Sequence, residues 1–110
     1  MFDLILQKQK ELNDFIDFEN LSVEERDKWL DLFSSGIIEE AVEFRKSLRH
    51  KKFWKQYYSP MNISGVQEEF ADIISYLGNI ALILNLDEDK IKEIFLEKFD
   101  INMKRKRQGY

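Results

Sequence analysis

Apolar positions recur along the chain with a spacing near 3.6 residues, and nowhere with the period of two that marks a strand. The pattern predicts four helices, or five if the second divides. The first runs from about Asp3 to Phe18, with Leu4, Leu6, Leu12, Phe15 and Ile16 on its apolar side. "NLSVEE" then stops the chain and restarts it. Ser22 stands where a cap is needed, and Glu25 completes a capping box. The second helix runs from Val23 to about His50, and Ser34-Ser35-Gly36 is a place for it to kink or split, since Gly costs about 1 kcal/mol relative to Ala in a helix interior. "QYYSPMNISG" is a loop and holds the only proline. Ser64 with Gln67 predicts a second capping box, opening a helix from Val66 to about Asn85. Asp87 caps the last helix, which reaches about Arg107.

Short connections between these helices predict an all-α bundle, and 110 residues suffice for one domain, 1–110, with one core. The third helix reads "IISYLGNIALIL" past its first turn, apolar on almost every side. One small subunit covers such a helix with difficulty, which predicts a homodimer or higher oligomer. Composition narrows the chemistry. A net charge of −4 argues against a general nucleic-acid surface. The absence of cysteine removes disulfides, thiolate metal sites and thiol catalysis. The opening "MFDLILQKQKEL" has the pattern of neither a signal peptide nor a membrane span, so the expected location is cytoplasmic.

Carboxylates beside apolar stripes are the feature that needs a chemical reason. Glu40 and Glu43 leave one helix face next to Ile37, Ala41, Phe44 and Leu48; Glu69 and Asp72 repeat the spacing beside Val66, Phe70, Ile73 and Leu77. If the two stripes pack together, four acids meet at one edge of the core and repel one another. A hard divalent cation such as Mg²⁺, which takes oxygen ligands, relieves that repulsion. The spacing alone has a blander explanation, a solvated acidic face, because Glu11/Asp14, Glu24/Asp27 and Glu97/Asp100 show it too. A di-iron bundle would need Glu-x-x-His motifs, and the single His50 belongs to none.

With these residues in view, the chain resembles the all-α nucleoside triphosphate pyrophosphohydrolases, which include the MazG-like enzymes and the dimeric dUTPases. "EAVE" (Glu40 to Glu43) and "EFAD" (Glu69 to Asp72) resemble the paired metal-binding motifs of that superfamily. "KFWK" (Lys52 to Lys55), "QKELN" (Gln9 to Asn13) and "KFDINMKRKRQGY" (Lys98 to Tyr110) resemble its Trp-containing segment, its base-contacting first-helix motif and its phosphate-contacting tail. Two departures stand near the base. Ser75-Tyr76 replaces a usual His-Phe, and Phe99 follows Lys98 where Asn is usual.

The resemblance implies cleavage between the α- and β-phosphates of a deoxynucleoside triphosphate, dUTP or a related pyrimidine nucleotide, giving a monophosphate and pyrophosphate. It implies that Glu40, Glu43, Glu69 and Asp72 hold two or three Mg²⁺ ions, with Glu39 or one of the four accepting a proton from water. Lys98, Asn102 and Arg105 would contact phosphate oxygens; the alternative for the basic tail is complementing the helix dipole. Trp54 and Tyr76 would stack on the base, or else pack in a core or dimer interface. Gln9 and Asn13 would read base edges, or form a polar helix face. The Ser75 hydroxyl can rotate to donate or accept, which predicts weak discrimination between uracil and cytosine. The alternatives are a broad house-cleaning dNTP pyrophosphatase and a non-catalytic helical interaction module with a basic tail. Neither membrane association nor stable nucleic-acid binding is expected.

Overall fold

The computed structural model describes residues 1–48 and 62–109. It shows an all-α protein with the element order α1 (Phe2–Leu12), α2 (Val23–Ser47), α3 (Ile63–Ile83) and α4 (Glu88–Arg107). Among the described residues there is no strand. The predicted segment "KFWK", with Trp54, lies outside the described residues, as do His50 and most of the "QYYSPMNISG" loop.

Local chemistry sets the helix ends. α1 stops at Leu12, short of Phe18, because Asn13 turns back on it. Both the backbone N–H and the side-chain Nδ2 of Asn13 donate to the Gln9 carbonyl, at 3.0 and 2.8 Å. The residues that would have extended α1 serve the core instead, where Ile16 and Phe18 are buried. The Ser22 capping box forms as expected: the Glu25 N–H donates to Ser22 Oγ at 3.1 Å, and the Ser22 N–H donates to Glu25 at 3.2 Å. The expected Ser64 box does not. The Asn62 side chain takes the cap by accepting from the Gly65 N–H at 3.2 Å, so α3 begins at Ile63 and Ser64 falls inside it. α3 ends on Asn85 in the left-handed conformation (φ 55°), and the Leu86 N–H reaches back to the Ala81 carbonyl at 2.9 Å. Asn is the usual substitute for glycine at this position. Asp87 caps α4, accepting from the Lys90 N–H at 2.8 Å.

α3 is the centre of the fold, and both α1 and α2 pack along it. The core gathers Ile16, Phe18, Phe33 and Ile83, flanked by Leu21, Trp29, Leu30, Tyr76, Ile80 and Leu82. Trp29 stacks on Phe33 at 5.4 Å between ring centroids, and Phe33 meets Tyr76 at 6.3 Å. The helix does not divide at Ser34-Ser35-Gly36: α2 runs unbroken from Val23 to Ser47. Gly36 is needed for space rather than flexibility, since a Cβ at that position would run into the Tyr76 ring. α4 leaves α3 at 105° and does not pack along the other helices as α1 and α2 do. Its first turn is tied to α1, where the Met1 amine lies 3.0 Å from Glu88. Phe95, Leu96, Phe99 and Ile101 of α4 remain exposed. So do Phe70 and Leu77 of α3, the most apolar helix. No single helix among the described residues is long and apolar enough to cross a membrane.

The Gly36–Tyr76 contact makes a sharp prediction. Gly36→Ala should gain about 1 kcal/mol of helix propensity yet lose roughly 1–3 kcal/mol to overpacking, giving a net loss in chemical denaturation. In a Tyr76→Ala background the same substitution should become stabilising. Stabilisation in both backgrounds would show that the ring does not need the gap.

Candidate metal centre and its surroundings

Glu40 on α2 and Glu69 and Asp72 on α3 come together at one edge of the α2–α3 contact. One carboxylate oxygen from each lies within 4.8 Å of the others. Glu40 and Glu69 are half-buried and Asp72 is exposed. Their placement follows from helix geometry. Glu40 stands one turn after Gly36 and Asp72 one turn before Tyr76, so the close approach of that ring to α2 brings the two carboxylates face to face.

The electrostatics reflect crowding. The Glu40 carboxyl is pushed up to about 7, first by a hydrogen bond shared with the Glu69 carboxyl, then by partial burial, then by the charges of Asp72, Glu69 and Glu43. Glu69 Oε2 is buried with no hydrogen-bond partner. An unpartnered buried carboxylate oxygen beside a carboxyl that keeps its proton near neutrality is a poor arrangement for the protein alone. It suits a hard divalent cation, which would take oxygen ligands and neutralise the repulsion. Three acids therefore form a set that can hold a metal ion such as Mg²⁺.

The other expected site residues are distributed unevenly. Glu43 is outside the group of three; it is exposed and pairs with Lys46 at 3.7 Å, while its charge still acts on Glu40. Glu39 is exposed on α2. Tyr76 is half-buried, with its ring against Phe33 and Gly36. The Ser75 hydroxyl is not a free rotor: it donates to the Ala71 carbonyl at 3.0 Å and keeps only acceptor capacity. Lys98, Asn102 and Arg105 are exposed on α4, which does not pack along α2 and α3 as those two pack on each other.

Gln9 and Asn13 meet a partner that periodicity did not single out. Gln9 Nε2 donates to Asn79 Oδ1 at 2.8 Å, and Asn13 Nδ2 donates to the same oxygen at 3.0 Å. Gln9 and Asn79 are both buried. The available signal was a single amide inside "IISYLGNIALIL", since a polar group in so apolar a helix needs a partner.

A family model described as dUTPase matches residues 1–84 of the chain. The chain belongs to the dUTPase family. No curated protein and no solved structure gave a match. The matched region holds α1, α2 and α3, and with them the acid cluster and the three amides; α4 lies beyond it. At the level of the family, membership supports a nucleotide pyrophosphatase of the dUTPase type, and it implies a nucleotide substrate.

A metal-free dUTPase-family protein with this acid cluster should show a pH-dependent stability. Glu40 holds its proton to about pH 7 in the folded state against an ordinary value of 4.5. Within that window the folded protein binds more protons than the unfolded chain, so stability falls as pH rises. The melting temperature in EDTA should drop between pH 5 and pH 8, and millimolar Mg²⁺ should raise it most at the upper end. Glu40→Gln should flatten the drop. An unchanged slope in that variant would place the titrating proton elsewhere, and identical melting with Mg²⁺ and EDTA would count against the metal site.

Proposed function

We propose that this chain, a single domain over 1–110, is a Mg²⁺-dependent pyrophosphohydrolase that cuts a deoxynucleoside triphosphate, dUTP or a related pyrimidine nucleotide, into a monophosphate and pyrophosphate. The observation that carries this reading is the convergence of Glu40, Glu69 and Asp72 inside the region matched by the dUTPase family. These three would hold the ions, with Glu43 one turn further along α2 as a further ligand once released from Lys46. Bound Mg²⁺ would neutralise the triphosphate, polarise the α-phosphorus and lower the pKa of an attacking water. Glu39, or a carboxylate of the cluster, accepts the proton lost by that water. Lys98, Asn102 and Arg105 offer donors to phosphate oxygens. Trp54 and Tyr76 supply ring faces for the base, Ser75 an acceptor, and Gln9 and Asn13 amide groups at its edge.

Self-association belongs to the same reading. Phe70 and Leu77 on α3 and Phe95 and Phe99 on α4 leave apolar surface that a second copy would cover. The amides and acids require no membrane or nucleic acid, and a cytoplasmic nucleotide pool fits the cysteine-free composition.

Pyrophosphate release from a panel of dNTPs tests the activity. Glu40→Ala and Asp72→Ala should each lower kcat/KM by roughly two orders of magnitude or more, as expected for loss of a metal ligand. Glu24→Ala and Asp100→Ala, which alter the same spacing elsewhere, should leave it nearly unchanged. Equal losses in both sets, or no pyrophosphate from any dNTP, would overturn the reading. Light scattering should give a mass at least twice the 13.3 kDa of one chain; a monomer would remove the self-association.

A further inference from the structure

The contact between Gly36 and Tyr76 has a consequence one turn away. α2 and α3 run antiparallel along their contact, so position 36 faces Tyr76 while Glu40 faces Glu69 and Asp72. Four residues separate the two levels on each helix, from Gly36 to Glu40 and from Tyr76 back to Asp72, or about 6 Å at 1.5 Å per residue. Backbone hydrogen bonds close every turn of a helix, so a displacement of α2 at Gly36 reaches Glu40 almost undiminished. The gap between the carboxylates is therefore set where the ring meets bare backbone.

The ring has little room to yield. A Cβ on residue 36 would overlap Tyr76 Cδ1, Cε1 and Cζ, which is one whole edge of the ring. Phe33, itself buried, bears on the same ring at 6.3 Å between centroids, and Trp29 stacks on Phe33 at 5.4 Å. Turning Tyr76 aside would disturb that stack, and a close-packed interior transmits strain instead of absorbing it. A methyl group added at position 36 is accommodated by parting the helices.

That parting matters to an ion held between them. One oxygen from each of Glu40, Glu69 and Asp72 lies within 4.8 Å of the others, and Glu40 and Glu69 share a hydrogen bond across the gap. Oxygens on opposite sides of Mg²⁺ stand about 4 Å apart, and on opposite sides of Ca²⁺ about 5 Å. Mg²⁺ also demands near-ideal octahedral geometry, whereas Ca²⁺ accepts more ligands in flexible arrangements. A shift of about 1 Å between the helices is enough to separate the two ions.

We propose that Gly36 and Tyr76 are positioning residues that set the ion selectivity of the acid cluster, by holding α2 and α3 at the close spacing a small divalent cation needs. The inference rests on the metal reading of Glu40, Glu69 and Asp72 and adds to it the pair of residues that decides which ion fits. Neither residue supplies a ligand. Gly36 acts by having no side chain, and Tyr76 by filling the space that is left.

Thermal melting of the metal-free protein, titrated with MgCl₂ or with CaCl₂ and no nucleotide, tests this, because the concentration dependence of the shift gives an affinity for each ion. Taking the ratio of the two affinities within one variant cancels any change in that variant's own stability. Gly36→Ala should lower the Mg²⁺/Ca²⁺ affinity ratio about tenfold, chiefly by weakening Mg²⁺. Tyr76→Leu, which withdraws the far edge of the ring, should restore the ratio in the Gly36→Ala background. Equal weakening of both ions would reduce the contact to a structural one and overturn the inference, and an unchanged ratio would do the same by showing that the ring turns aside. Should Gly36→Ala fail to fold, Tyr76→Leu alone decides the question. Loss of the spacer should let the helices close and raise the ratio at least about threefold, and the wild-type ratio in that variant overturns the inference. Binding of neither ion by the wild-type protein would remove the metal reading itself, a result distinct from a ratio that fails to move.

Discussion

The Tyr76 ring lies where a side chain on residue 36 would otherwise stand, and the rest of the site is built outward from that contact. Because position 36 carries no Cβ, α2 and α3 can approach there more closely than side chains ordinarily permit. The residues one turn along each helix, Glu40 and Asp72, then share a small space with Glu69. Dispersion and burial around Phe33, Trp29 and Ile83 supply the attraction that holds like charges together. Repulsion between the carboxylates is thus stored by the core, and it appears as the raised Glu40 carboxyl and the unpartnered Glu69 oxygen. A hard divalent cation bound among these carboxylates would relieve that repulsion.

Where α1 meets α3 the same economy of space operates through polar groups. Gly78 lets Ile5 and Gln9 of α1 approach closely, and the amides of Gln9, Asn13 and Asn79 then satisfy one another within that narrow contact. α1 is anchored by hydrogen bonds with a defined direction, whereas α2 is anchored by rings. The acids and the amides occupy successive turns of one α3 face, with Tyr76 between them.

α4 follows a different logic. Its cap is well made, its first turn is tied to Met1, and its last turn is basic, yet it departs at 105° and keeps its large apolar side chains exposed. A helix of mixed surface that packs along no other helix is held mainly by its capping and its own hydrogen bonds. The dUTPase-family match ends where α3 ends, so the part of the chain that departs from the three-helix core is also the part the family model does not cover.

Periodicity and caps were enough to make the chain all-helical and to place the Ser22 and Asp87 starts, because those signals act within a few residues. They failed where two local signals competed: Asn62 took the cap expected of Ser64, and Asn13 closed α1 before its apolar pattern ended. The sequence also showed which acids border the apolar stripes, but four of them qualified equally. Only the packing chose Glu40, Glu69 and Asp72 and turned Glu43 toward Lys46. Likewise it paired Asn79 with residues about seventy positions earlier in the chain. The physical reason is that helix register against another helix is not a property of either helix. Local spacing determines which side chains share a face; the height at which two faces meet is decided by which small residue admits which large one, here Gly36 and Tyr76.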